Sequence, residues 1–143
     1  MKKSIPFLAS LFFVFFISCK EDKKAESSTE MSQMDRVMAM HDEVMPKMGK
    51  IGSLANDFRK KLDAGEGGIA EKKAMEDLKA ANKSMMDWMQ DFMAHFDHKE
   101  INKGKALTAE KQALLNADEK TMIEVKKMME TSIENAEKLL GTN

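Results

Sequence analysis

The chain has 143 residues, 33% of them charged, with a formal net charge of −1, a single cysteine and no tyrosine. That length bounds it to one domain, and a near-balanced charge with no basic stripe excludes a nucleic-acid binder. One cysteine excludes a framework of intrachain disulfides.

The N-terminus reads MKKSIPFLASLFFVFFISCKEDKK. Lys2 and Lys3 precede an apolar run from Ile5 to Ile17, followed by Ser18 and Cys19. The run is shorter than the ~20 residues that a bilayer-spanning helix needs. Its basic head, short apolar middle and small final residue follow the order of a secretory signal. Phe16-Ile17-Ser18-Cys19 resembles a bacterial lipobox, with Phe16 and Ile17 at the positions where leucine and alanine are usual. The resemblance implies that residues 1–18 are a lipoprotein signal peptide. It also implies that Cys19 is lipidated, becomes the new N-terminus and leaves no free thiol for catalysis. Lys20-Glu21-Asp22 resembles the surface-export signal of Bacteroidota lipoproteins. A plain charged tether fits the same residues, so a surface-exposed and a periplasm-facing outer-membrane lipoprotein both stay open. Of the 23 Lys and Arg, Lys2 and Lys3 belong to the leader, which leaves 21 basic against 24 acidic residues and a net charge of −3.

The lipidated Cys19 and a flexible tether occupy residues 19–29. KEDKKAESST is charged and small and has nothing to bury. Ser28 or Thr29 suits the N-cap of a following helix. Residues 30–143 then read as three helices, at about 30–64, 69–97 and 108–140. In the first, apolar positions fall at Met34, Met38, His41, Met45, Met48, Ile51, Ala55, Phe58 and Leu62, with one short step at Gly49. The GEGG run at 65–68 ends it, because glycine accepts the left-handed backbone of a C-cap. The second carries Met75, Leu78, Asn82, Met85, Met89, Phe92 and Phe96, and HKEINKGKAL reads as a loop. Thr108 suits the next N-cap. The third helix carries Leu115, Met122, Val125, Met129, Ile133, Ala136 and Leu140, with Lys138 favourably placed against the helix dipole.

No run of β-branched and aromatic residues marks a strand. The expectation is an all-α, coiled-coil-like protein, an up-down-up antiparallel three-helix bundle about 45 to 50 Å long. A two-helix hairpin pairing with a partner's helix is the variant topology. If the first turn centres near residue 66 or 67, residue 41 lies level with about residue 92, His95 with Met38 and Met45 with Trp88.

Fourteen methionines follow the initiator. They are good helix formers that fill irregular core gaps, and such a surface also suits a protein partner or self-association. They are also soft thioether donors, and with imidazole they select Cu(I). Met38, His41 and Met45 share one helix face at i, i+3 and i+7. The spacing resembles short motifs of periplasmic copper- and silver-binding proteins. The antiparallel register adds Met89 and His95, so the candidate metal set is His41, Met38, Met45, Met89 and His95, with Cu(I) or Ag(I) as the ion. His98 reads as solvated. Pro46 removes one helical hydrogen bond and frees the Asp42 carbonyl, which predicts a kinked continuous helix and a small pocket near His41 and Trp88. Asp42, Glu43, Asp87 and Asp91 belong on the rim. No nucleophile lies beside a base, no phosphate loop follows a strand, and the Glu-x-x-His pair of di-iron bundles is missing. These features point away from an enzyme.

MAMHDEVMPKMGKIGSL, MEDLKAANKSMMDWMQDF and SIENAEKLL together resemble small Met-rich lipoproteins of Bacteroidota, many of which carry the label "viral A-type inclusion protein". The resemblance covers nearly all of the chain after the leader. It implies a lipid-anchored cell-envelope helical bundle and no particular activity. The expected function is a non-enzymatic binding or structural lipoprotein, held to the membrane by its N-terminal lipid. The alternative is a Cu(I)- or Ag(I)-binding envelope protein.

Overall fold

The computed structural model describes residues 31–141, so the leader, Cys19 and the tether lie outside the described residues. The described residues form five helices and no strand: α1 (Gln33–Val44), α2 (Lys47–Asp63), α3 (Ile69–His95), α4 (His98–Asn102) and α5 (Ala109–Leu140).

Ser32, rather than Ser28 or Thr29, caps α1. The Asp35 N–H donates to Ser32 Oγ and the Asp35 carboxylate accepts from the Ser32 N–H, so two free helix-end donors are satisfied reciprocally. α1 gives way to α2 at Met45-Pro46. Both residues keep right-handed helical dihedrals, and the Met45 N–H still donates to the His41 carbonyl at 2.8 Å. Pro46 has no N–H to offer Asp42, and Met48 bonds back to Met45 over a tighter three-residue step. The ladder is therefore interrupted for one turn while the path stays helical.

The inner stripe of α1 and α2 corrects the sequence reading. Val37 and Val44 are fully buried, Met38 is half-buried, and Met45 is 36% exposed. The stripe runs Met34, Val37, His41, Val44, Met48, Ile51, Leu54 and Phe58, with Ala55 and Leu62 half-buried beside it. The short step lies about one turn beyond Gly49, where Met48, Ile51 and Leu54 follow at steps of three. Val and Met are both apolar and sit side by side, so either pair satisfies a hydrophobic count. Which of the two turns inward is set by the helices packed against α1 and α2.

α2 ends at Gly65, whose φ of +74 only glycine adopts without strain, and Gly68 enters α3 in extended conformation. α3 buries Ala74, Leu78, Ala81, Met85, Trp88 and Phe92. The expected loop after α3 contains α4. Asp97 accepts from the Lys99 and Glu100 N–H groups, and the Glu100 carboxylate accepts from the Asp97 N–H. That reciprocal cap suffices to set one short helix. Thr108 Oγ1 accepts from the Lys111 N–H to start α5. α5 turns Leu115, Met122, Val125, Met129, Ile133 and Ala136 inward, together with Asp118.

These faces meet in one core built from α1, α2, α3 and α5. Lys126 bonds Glu43 and Lys47 bonds Glu130, each pair 83 residues apart, and Gln33 meets Asn116 at the same offset. α3 instead meets α5 through Trp88 with Asp118 and Ser84 with Met128. The ion pairs are exposed or half-exposed and act on register more than on stability.

Replacing Val44 by alanine should lower the unfolding free energy by about 2 kcal/mol. Met45→Leu should change it by less than about 0.5 kcal/mol, as for an exposed site. Urea unfolding of both variants checks this, and equal effects would return Met45 to the buried stripe.

Candidate functional site

Along α3, Trp88, Met89, Phe92, Met93 and Phe96 stand one turn apart in overlapping pairs, so one side of the helix carries aromatic rings and thioethers together. Met38 and His41 of α1 face this side. α4 closes its end with His98, Ile101 and Asn102. The result is a groove of about 350 Å³. Its aromatic wall is continuous. His41 stacks on Trp88 with centroids 5.7 Å apart and Trp88 on Phe92 at 4.7 Å, while Phe96 lies tilted by 49° against Phe92 at 5.0 Å. Pairs at such distances gain beyond the area they bury.

The wall is pinned from behind. Trp88 Nε1–H donates to the Asp118 backbone carbonyl at 3.0 Å, and His95 Nδ1 lies 2.8 Å from Asp118 Oδ2. Asp118 is buried, so the imidazole and two turns of α3 are tied to one residue of α5. Asp118 was missed in the sequence. Its signal was the seven-residue gap in the α5 stripe between Leu115 and Met122, which a core position should fill.

The end of the groove is held by a charged clasp. The Glu100 carboxylate is buried and accepts from Lys111 at 2.6 Å, while Lys105 bonds Asp97 at 2.9 Å and lies 3.6 Å from Glu100. The Lys111 hydrogen bond, with help from the Asp97 N–H, holds the Glu100 carboxyl below its ordinary value. The Lys105 hydrogen bond, with backbone N–H groups of Glu100 and Lys99, lowers Asp97 to about 2. The clasp fixes α4, and with it His98 and Ile101, over the aromatic wall.

The candidate ligands separate. Met38, His41 and Met89 line the groove beside Trp88. Met45 lies on the exposed face, and His95 is engaged by Asp118 with its ring edge on Phe96. Met93 and His98 join the groove from outside the candidate ligand set, Met93 by standing one turn beyond Met89 and His98 through α4. His98 is exposed, yet it forms part of the lining. His41 stacks against Trp88 and not level with residue 92, one turn from the expected register. Gly68 is extended, and an extended residue advances about 3.3 Å against 1.5 Å in a helix, so fewer α3 residues are needed to reach His41. Pro46 sits at the junction of α1 and α2, outside the groove lining. Glu43 pairs with Lys126 and Asp87 with Lys83, while Asp42 accepts from His41 Nδ1 at 2.9 Å. Among the described residues no three His, Asp or Glu side chains gather as a metal cluster.

His95→Ala should destabilise the fold by roughly 1 to 3 kcal/mol, because the buried Asp118 carboxylate loses its partner. His98→Ala should fall within about 0.5 kcal/mol of wild type. Chemical denaturation separates the two.

Asp97 has a lowered folded pKa, so its stabilising contribution is fully present above pH 3.8 and is lost as pH falls toward about 2. Carboxyl-carbon NMR titration should place its midpoint near 2 and show Lys105→Ala raising it toward 3.8. An unmoved midpoint would show that Lys105 does not hold it.

Comparison of the chain with family models, with curated proteins and with solved structures finds no match.

Proposed function

We propose that this protein is a lipid-anchored, non-enzymatic binding lipoprotein of the bacterial cell envelope, and that the groove between α1, α3 and α4 is its binding site. The observation that carries the reading is the groove itself. A volume of about 350 Å³ suits a small ligand, and its wall of stacked aromatic rings is fixed by Asp118 and by the Glu100 clasp. In this reading residues 1–18 are the signal peptide, the acylated Cys19 enters the outer membrane, and residues 20–29 tether the domain. Among the described residues no helix is long and apolar enough to cross a membrane, so attachment rests on the lipid. Surface and periplasmic placement are both compatible with the tether. Membership among the small Met-rich Bacteroidota lipoproteins belongs to the same reading and is supported by the three segments quoted above.

The helices are assigned an up-down-up antiparallel three-helix arrangement, with α1 and α2 as one kinked rod. Two observations support it. Polar contacts from α1 and α2 to α5 have offsets between 79 and 87, four of them at 83, as expected for segments that point the same way. Contacts from α3 to α5 pair rising with falling numbers, from Ser84 with Met128 to Trp88 with Asp118.

Two measurements test the reading. Cys19→Ala should release the chain from the membrane fraction and abolish labelling by a radioactive fatty acid; continued labelling refutes the anchor. For the groove, the full lipidated chain in non-ionic detergent is labelled at its methionine methyl carbons and titrated with indole, a small apolar probe. The Met38, Met89 and Met93 resonances should shift while those of Met45 and Met129 stay. A titration that moves none of the three refutes the groove as a binding site.

A further inference from the structure

Three features of the groove specify a ligand class beyond its size. Its lining contains Met38, Met89 and Met93 thioethers and the His41 and His98 imidazoles, and not one carboxylate. Hard divalent cations need six or more oxygen donors, carboxylates above all, and the one side-chain oxygen in this lining is the Asn102 amide. Thioether sulfur and imidazole nitrogen are the donors that suit a soft monovalent d¹⁰ ion. A single positive charge also suits an aromatic wall better than a divalent ion, whose desolvation is far more costly.

The second feature is the protonation of His41. Its Nδ1 lies 2.9 Å from the Asp42 carboxylate, an acceptor-only group, so the ring proton belongs on Nδ1 and the Nε2 lone pair is left free. A carboxylate behind a histidine is the arrangement that orients metal-bound imidazole and raises its basicity. The ring is further held by its stack on Trp88. His95 has a carboxylate on its Nδ1 as well, that of Asp118, but it does not line the groove.

The third feature is the distribution of methionine. Met85, Met122 and Met129 are fully buried, and core packing accounts for them. Met38 and Met89, which line the groove, are only half-buried, and Met93, also in the lining, is 74% exposed. An exposed flexible thioether beside two half-buried ones can fold over a bound ion, which rigid Leu or Phe cannot do.

We propose that the groove holds one Cu(I) or Ag(I) ion, ligated by His41 Nε2 and the Met38 and Met89 sulfurs, with Met93 and His98 closing over it. Asp42 is a positioning residue that fixes the His41 tautomer. This rests on the reading of the groove as the binding site. It replaces the set expected from sequence, because Met45 and His95 are outside.

The test uses the full lipidated chain in non-ionic detergent, with Ag(I) as the probe in chloride-free buffer. The readouts are the methionine methyl resonances and the emission of Trp88, the single tryptophan of the chain. One equivalent of Ag(I) should shift Met38 and Met89, leave Met45 and Met129 in place and quench Trp88. His41→Ala and Met89→Leu should each weaken binding by about tenfold or more. Asp42→Ala, at an exposed position, should weaken it by roughly tenfold through the lost orienting bond. Met45→Leu should bind as wild type does. Unchanged affinity in both His41→Ala and Met89→Leu overturns the proposal, and so does binding that is lost in Cys19→Ala, which would place the ion on an unacylated thiol. If indole moves the groove methyls and Ag(I) does not, the groove stands and the soft-cation assignment fails. If neither moves them, the groove reading fails as well.

Discussion

Asp118 occupies an inward position of α5, in a stripe that otherwise buries Leu115, Met122, Val125 and Met129. A carboxylate there is tolerable only with its partners in place, and α3 provides them: the His95 imidazole to the side chain and the Trp88 indole to the backbone carbonyl. Such a group adds little net stability over an apolar side chain of the same size. It acts on geometry. A one-turn slip of α3 against α5 would strand a buried charge and an indole donor together, so the register of the two helices is fixed by a penalty on every alternative.

The groove inherits its shape from that register. Because Trp88 is held from behind, its ring serves as a fixed plate between His41 and Phe92, and Phe96 continues the wall. The Glu100 clasp does the same for α4 from the other end, using Lys111 and Lys105 around a carboxylate that α4 itself buries. Two polar anchors thus bracket an apolar cleft, and the donors it presents come from three separate helices.

Pro46 has a more local effect than a break in the rod would suggest. Its backbone remains helical, so Val44 before it and Ile51 beyond it stay on the same buried stripe. What the proline changes is the hydrogen bonding of one turn, with Asp42 losing its carbonyl's partner. The Asp42 side chain meanwhile turns to His41, and the two effects fall on adjacent residues of the same turn.

Much of this was legible along the chain. Helical periodicity without strand-forming runs, the glycine stop after α2, the Thr108 cap and the burial of Met85, Met122 and Met129 follow from local pattern and cap chemistry, which depend on residues within a few turns of each other. The choice of Val37 and Val44 over Met38 and Met45 did not follow. Neighbouring apolar residues on a helix satisfy the same count, and which of them faces inward is decided by the helices packed against it. Asp118 as the partner of His95 was hidden for a related reason, since a pair 23 residues apart leaves no mark in either local sequence. The groove itself belongs wholly to the tertiary structure. Met38, Met89 and His98 are scattered over three helices, and only their packing brings two kinds of soft donor to one aromatic wall.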